Sequence, residues 1–272
     1  MNQEKIKKDV EVFLEALFQS YKYDFRSYAK PSITRRIIKL MNNQGLESIE
    51  KLSENVLNRK IDFKEIMKTF SINVTEMFRD PQFFKILREK VIPELKIHQK
   101  INIWHAGCST GEEVYSLAII LKEEGLYDKT NIYATDFNDE ALKKAKQGHT
   151  HLKFVKQFSD NYLESGGNTS LSKYFKVHNS TAIFDKSLSE NIHFKNHNLA
   201  TDDSISKMHL ILCRNVLIYF DKDLQDKVLT LLAAGLLKNG FLAVGSKESI
   251  NFSTIVTKFE TTNRKFKIYK KK

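Results

Sequence analysis

A chain of 272 residues can bury a sizeable core, as one large or two modest domains. Its two cysteines give no disulfide framework, its eight histidines show no ligand spacing such as H-E-x-x-H, and its longest apolar run, Leu231 to Leu237, is too short to span a bilayer. The Lys- and Glu-rich start carries no secretory signal, so a soluble cytoplasmic protein is expected, with no metal and no direct membrane insertion; a net charge of +11 favours acidic partners.

The first eighty residues read as helices. Val10, Phe13, Leu14, Leu17 and Phe18 form one apolar stripe at helical spacing. A second helix is predicted from Pro31-Ser32, with Ile33, Ile37, Leu40 and Met41 on its inner face and Arg35, Arg36 and Lys39 sharing another, and the Gly45 region ends it. Leu46, Ile49, Leu52 and Val56 continue the helical period, as do Ile66, Met67 and Phe70. Ser71 to Phe78 breaks it, and Asp80-Pro81 is predicted to open a new helix with an N-cap and a first-turn proline. The expected domains are therefore 1–79, helical, and 80–272. Asn73, Thr75 and Arg79 fall on irregular backbone near that boundary, where ligand sites tend to lie.

Ile101-Asn-Ile-Trp-His-Ala-Gly-Cys-Ser-Thr-Gly-Glu-Glu-Val-Tyr-Ser-Leu-Ala118 followed by Ile132-Tyr-Ala-Thr-Asp136 reads as strand, glycine turn, helix, strand, acid. That is the wiring of a nucleoside-binding half of a doubly wound sheet. Gly107 and Gly111 allow a tight turn and a close approach to a ligand, and Asp136 stands where a carboxylate can accept both hydroxyls of a ribose. Glu112 and Glu113 open the helix where a dinucleotide fold would place a third glycine. Two carboxylates there repel a phosphate and suit a ligand that is cationic at its far end, as S-adenosylmethionine is. A helix over 139–147 follows, and 148–195 turns irregular, with a loop at Gly166-Gly167 and short strands over 174–177, 181–184 and 192–194. Met208 to Cys213 reads as a buried strand, 224–237 as a helix closed by Gly240, 241–245 as another strand and 266–269 as a last, antiparallel one.

Three separated motifs, Asn73-Val-Thr-Glu-Met-Phe-Arg79, Ser109-Thr-Gly-Glu-Glu-Val-Tyr-Ser116 and Cys213-Arg-Asn-Val-Leu-Ile-Tyr-Phe220, together resemble the CheR family of chemoreceptor glutamate O-methyltransferases. The resemblance runs from about Tyr28 to about Lys270. It implies an α/β fold: a Rossmann-like S-adenosylmethionine-dependent methyltransferase sheet, an N-terminal helical domain, and a small antiparallel β insertion at about 150–195. It implies S-adenosyl-L-methionine as cofactor, S-adenosyl-L-homocysteine as product, and methylation of glutamate carboxylates on chemoreceptors in chemotaxis signalling. By the same resemblance Asn73, Thr75, Arg79 and Gly107 belong to the cofactor site, Glu113 binds the cofactor amino group and Asp136 its ribose. Asn198 and Leu199 flank the adenine, and Arg214 and Asn215 complete the wall leading to Tyr219.

Methyl transfer to a carboxylate that is already ionised needs alignment and no general base. Arg79 is the candidate to grip the acceptor carboxylate in a bidentate fork, and Tyr219 to donate to it or lie beside the sulfonium. His105, inside the strand, is expected to be packed or backbone-bonded. His105 and Ser109 stand where methyltransferases in general show an acid and a glycine, and Val114 where this family often shows a proline. The expected partner is the acidic helical bundle of a chemoreceptor, approached by the second helix. Some members clasp a receptor tail peptide on a glycine-containing loop after a Tyr-Phe pair; Tyr174-Phe175 is followed by no glycine as far as Phe184, so no tail tether is expected. A nucleic-acid methyltransferase is the alternative enzyme, and the chain lacks its N-P-P-Y tetrad. A scaffold that senses cofactor without turnover is the non-enzymatic alternative, and Arg79 and Tyr219 argue against it.

Overall fold

The computed structural model describes residues 3–70 and 75–272. The chain divides into two compact units, Met1–Ile72 with Leu217–Lys227, and Asn73–Val216 with Val228–Lys272.

The first unit contains α1 (Gln3–Tyr21), α2 (Lys30–Asn43), α3 (Ile49–Leu57) and α4 (Phe63–Phe70). The stripe of α1 buries Val10, Phe13, Leu14 and Leu17, with Phe18 only half-buried. Helix α2 ends where expected: Gly45 takes φ +64°, and the N–H groups of Gly45 and Leu46 return to the carbonyls of Asn42 and Met41. Helix α3 is capped by Ser48, whose hydroxyl accepts the Lys51 N–H. The Phe70 ring of α4 stacks on Phe25 at 5.4 Å and on Phe13 at 6.1 Å. The turn Leu217–Tyr219 belongs here too: Ala29 N–H donates to the Tyr219 carbonyl, Asp221 N–H to that of Ser27, and Phe220 meets Tyr28 edge-on at 5.1 Å.

Arg35, Arg36 and Lys39 do not share a face. Arg35 and Lys39 are exposed, but Arg36 is 7% exposed. At about 100° per residue it falls nearer Ile37 and Leu40 than Arg35 and Lys39 do. Its guanidinium donates to the Phe70 carbonyl and to Ser32 Oγ, and lies 5.0 Å from the Tyr219 ring centre. Ser32 therefore serves Arg36 rather than the helix start.

In the second unit, α5 (Pro81–Ile86) passes through a π turn (Leu87–Val91) into α6 (Ile92–Leu95). The turn widens just before Pro93, which has no N–H to give to Glu89. The elements β1 (Ile101–Ala106), α7 (Glu112–Glu123), β2 (Thr130–Asp136) and α8 (Asp139–Gln147) follow. Next come β3 (His149–His151), α9 (Val155–Glu164), β4 (Phe175–His178), β5 (Thr181–Phe184), β6 (Ile192–Asn196) and β7 (Met208–Cys213), then α10 (Lys222–Gly235), whose residues up to Lys227 belong to the first unit, β8 (Leu236–Val244), β9 (Phe259–Asn263) and β10 (Ile268–Lys271). The main sheet has the order β6-β2-β1-β7-β8-β10-β9, with β10 antiparallel to both neighbours and the strands from β6 to β8 parallel. Parallel strands covered on both faces are buried nearly throughout, and β1 and β7 are, each with one half-buried residue, Asn102 and His209. The parallel order also brings the carboxyl ends of β1, β2 and β7 to one edge, where ligands of doubly wound folds bind.

Three expectations are corrected here. Helix α10 stops at Gly235, where a Cβ would meet the Ile205 carbonyl at 2.5 Å, and Gly240 lies inside β8 instead of closing the helix. The segment 148–195 carries the expected short strands as β4, β5 and β6 but is more regular than expected. It holds β3, which pairs with β5 in a β3-β5-β4 sheet, and α9, whose Phe158 and Tyr162 face inward at i, i+4. Asp80 precedes α5 but caps nothing with its side chain: its φ is +57° and its carboxylate is bound elsewhere.

Candidate active site

The turn after β1 is pinned to the end of β2. The N–H groups of Gly107 and Cys108 both donate to the Thr135 carbonyl at 2.8 Å. Gly107 takes φ +80°, and a Cβ there would come within 2.5 Å of a Val216 methyl group, so glycine is required for both conformation and space. Ser109 takes the left-handed φ of +51° that a glycine would adopt freely. In return its N–H donates to Asp136 Oδ2 at 2.8 Å, while Asp136 Oδ1 accepts the Asn138 N–H at 2.9 Å. Burial pushes the Asp136 carboxyl above the usual aspartate range, and these backbone bonds pull it back. The carboxylate keeps lone-pair capacity for a further donor.

Beside this turn, four titratable side chains cluster. Arg214 is the hub: its side chain is 1% exposed and lies 2.7 Å from Asp80 Oδ2, and it bonds Glu113 as well. Its guanidinium lies 3.9 Å from the Phe83 ring centre. His105 sits 3.8 Å from the other Glu113 oxygen, and burial lowers its pKa to about 4, so it is neutral at pH 7. Asp80, Glu113 and Arg214 then sum to one negative charge. Asp80 is 37% exposed and shares its charge with solvent, while Glu113, at 13%, is the better-shielded carboxylate on which the ammonium of S-adenosylmethionine can close. His105 Nε2 and Arg214 Nε, both buried, have no hydrogen-bond partner among the described residues. The residues fit the cofactor.

Leu199 is buried and Asn198 half-buried, directly beyond β6; Asn198 Oδ1 accepts the Ala200 N–H and its own N–H donates to Asp202. Asn215, with φ +61°, donates its N–H to Glu248, which also accepts the Gly245 N–H. Thr75 and Arg79 are half-buried in the second unit, and Arg79 lies between two left-handed residues, Phe78 at φ +51° and Asp80 at φ +57°. Such conformations outside glycine cost about 1–3 kcal/mol each and gather at functional sites. Asn73 lies outside the described residues. Tyr219 belongs to the first unit, half-buried beneath Arg36. Cys108 and Cys213 are buried free thiols whose pKa burial raises well above the usual value.

Sequence reasoning missed Asp80 and Glu248 as members of this region. Asp80 carries the local signature of a helix cap, which hid its use as a counter-ion; Glu248 stands in no motif. Among the described residues, no helix is long and apolar enough to cross a membrane, and no group of three or more His, Cys, Asp or Glu could hold a metal ion.

The family described as CheR methyltransferase, SAM binding domain, matches residues 73–267, and the CheR methyltransferase all-alpha domain matches residues 8–71. The methyltransferase Cher3 of Pseudomonas putida is 43% identical over 97% of this chain and 96% of its own length. Chemotaxis protein methyltransferase 1 of Vibrio cholerae is 31% identical, over 90% of this chain and 86% of its own. Chemotaxis protein methyltransferase 1 of Pseudomonas aeruginosa is 30% identical, over 80% and 82%. The chain belongs to the CheR family and is an S-adenosylmethionine-dependent protein-glutamate O-methyltransferase of the kind that serves chemotaxis.

Proposed function

We propose that the acceptor glutamates lie on the acidic helical bundle of a chemoreceptor, that the helical domain (1–79) recognises that bundle, and that the methyltransferase domain (80–272), with its insertion at about 150–195, carries the chemistry. The observation that carries the reading is the Asp80, Glu113 and Arg214 cluster, in which Arg214 is buried, Glu113 nearly so, and Asp80 directly follows Arg79 in the chain. When bound, S-adenosylmethionine supplies an electrophilic methyl group on a sulfonium. Glu113 holds its amino group, Asp136 accepts its ribose hydroxyls, and Asn198 and Leu199 flank its adenine. Asn73, Thr75 and Gly107 contribute to the same site, with Arg214 and Asn215 as its wall. Arg79 orients the acceptor carboxylate through a bidentate fork, and Tyr219 donates its hydroxyl to it. No base is required, since the acceptor is ionised.

The β4–β5 hairpin turns on Asn179 and Ser180 alone, with Asn179 at φ +51°. A two-residue turn without glycine supports a receptor contact that does not depend on a tail peptide. Incubation with labelled cofactor and receptor-bearing membranes, followed by mild base, tests the reading. Carboxyl methyl esters release methanol, and base-stable label would overturn it.

A further inference from the structure

The turn that carries Arg79 is held in place from two sides. On one side, Phe78 N–H donates to Ser116 Oγ at 2.9 Å, the buried Phe78 ring packs on Phe84 and Tyr162, and Asn161 donates to the Met77 carbonyl at 3.1 Å. On the other stands Arg214, which grips Asp80 Oδ2 at 2.7 Å and aims both terminal nitrogens at the Arg79 carbonyl, each 3.4 Å away. The same guanidinium bonds Glu113. Between these holds the chain passes through left-handed conformations at Phe78 and Asp80, which L side chains adopt only when their surroundings enforce them. A residue that merely lined a wall would not need bonds to three separate backbone and side-chain groups.

We propose that Arg214 is a positioning residue that acts through Arg79: it holds the Phe78–Asp80 turn in its strained form and ties it to Glu113, coupling occupation of the ammonium site to orientation of the acceptor. The proposal rests on the roles assigned above to Arg79 and Glu113. Without a cation beside it, Glu113 shares Arg214 with Asp80. A cation that joins Glu113 lessens its demand on Arg214, and the guanidinium turns more of its charge to Asp80 and the Arg79 carbonyl. The turn therefore firms as the cofactor site fills.

Lysine keeps the charge but not the planar fork, and one ammonium does not hold Asp80, Glu113 and the Arg79 carbonyl together in the same geometry. The test compares wild type with Arg214→Lys and Asp80→Asn, the second removing the same tie from its more exposed end. In wild type, S-adenosylhomocysteine should slow amide hydrogen exchange over residues 77–80 at least tenfold, and both variants should lose that protection. In both, kcat should fall at least tenfold more than affinity for S-adenosylhomocysteine does. Ligand-induced protection that persists in Asp80→Asn, or a kcat within twofold of wild type in either variant, would overturn the proposal. Arg79→Ala serves as the separate arm. If it methylates at the parent rate, the role of Arg79 fails, whatever the exchange experiment returns for Arg214.

Discussion

Asp136 offers the sharpest quantitative test of the cofactor site. Its two oxygens already accept N–H groups from Ser109 and Asn138, at 2.8 and 2.9 Å, so the carboxylate is fixed before any ligand arrives. Replacing a charged acceptor of this kind costs about 1.5–3 kcal/mol of binding, so Asp136→Ala should weaken S-adenosylhomocysteine roughly tenfold to a hundredfold. The same change strands the backbone donors of Ser109, Phe137 and Asn138, at about 1–3 kcal/mol each where they stay dry, so the thermal midpoint should fall as well. Asp136→Asn separates the two effects. It keeps one acceptor oxygen but turns an amide NH2 toward one of those donors, so it should lose less stability than alanine while losing most of the affinity. The pH dependence has a definite sign. Burial raises the carboxyl pKa above its ordinary 3.8, which means the folded, unliganded protein prefers the proton more than the unfolded chain does. That stability contribution is present below the ordinary value and is lost as pH rises through the raised one. Ribose hydroxyls need the ionised form, so affinity should grow with pH through the raised value and level off above it. Isothermal calorimetry at several pH values reads both. A folded Asp136→Ala protein with parental affinity would refute the reasoning.

Four further outcomes are expected. His105 titrates near 4 instead of its ordinary 6.5, so the native state loses on the order of 3 kcal/mol as pH falls between those values, and His105→Asn should flatten the fall in thermal midpoint with acid; an unchanged slope counts against it. Gly107→Ala places a methyl group against Val216 at a positive φ and should cost at least about 2 kcal/mol in chemical denaturation, with weaker cofactor binding; a neutral change would mean that Val216 yields freely. Arg35→Glu with Lys39→Glu should raise the KM for receptor at low salt, fading as salt screens it, and leave cofactor affinity alone; equal kinetics would make this only a solvated face. Arg79→Ala and Tyr219→Phe should lose turnover while still binding S-adenosylhomocysteine, and parental rates in both would remove them from the mechanism.

How much of this was legible in the sequence depended on distance along the chain. Strands β1, β2 and β7 and helices α7 and α8 announced themselves through local hydrophobic patterning, the Gly107 turn and the acid that ends β2, all of which act within a few residues. Strand β3 is three residues long with two exposed histidines, and α9 shows an apolar stripe of only Val155, Phe158 and Tyr162, so both were lost in a segment that reads as loop. Charge pairing was the least legible feature. Arg36 looked like a surface residue because its acceptor, the Phe70 carbonyl, lies 34 positions away. Asp80 looked like a cap because Arg214 lies 134 positions away. Local pattern says what a side chain can do, and only the fold says which of its options is taken.

The path of the chain bears on how such a protein can be cut and recombined. The backbone crosses from one unit to the other after positions 72, 216 and 227, and the second crossing falls inside the Cys213 to Phe220 motif. Cys213 and Arg214 are built into the sheet unit, while Tyr219 and Phe220 are built into the helical one, against Ala29 and Tyr28. A truncation at the first crossing therefore removes the scaffold of Tyr219 along with the helices, leaving the Phe220 ring without Tyr28. The two parts are not interchangeable cassettes. A helical domain grafted from a relative would have to bring its own Leu217–Lys227 segment, so the helices and the tyrosine end of the motif can be exchanged only as one block.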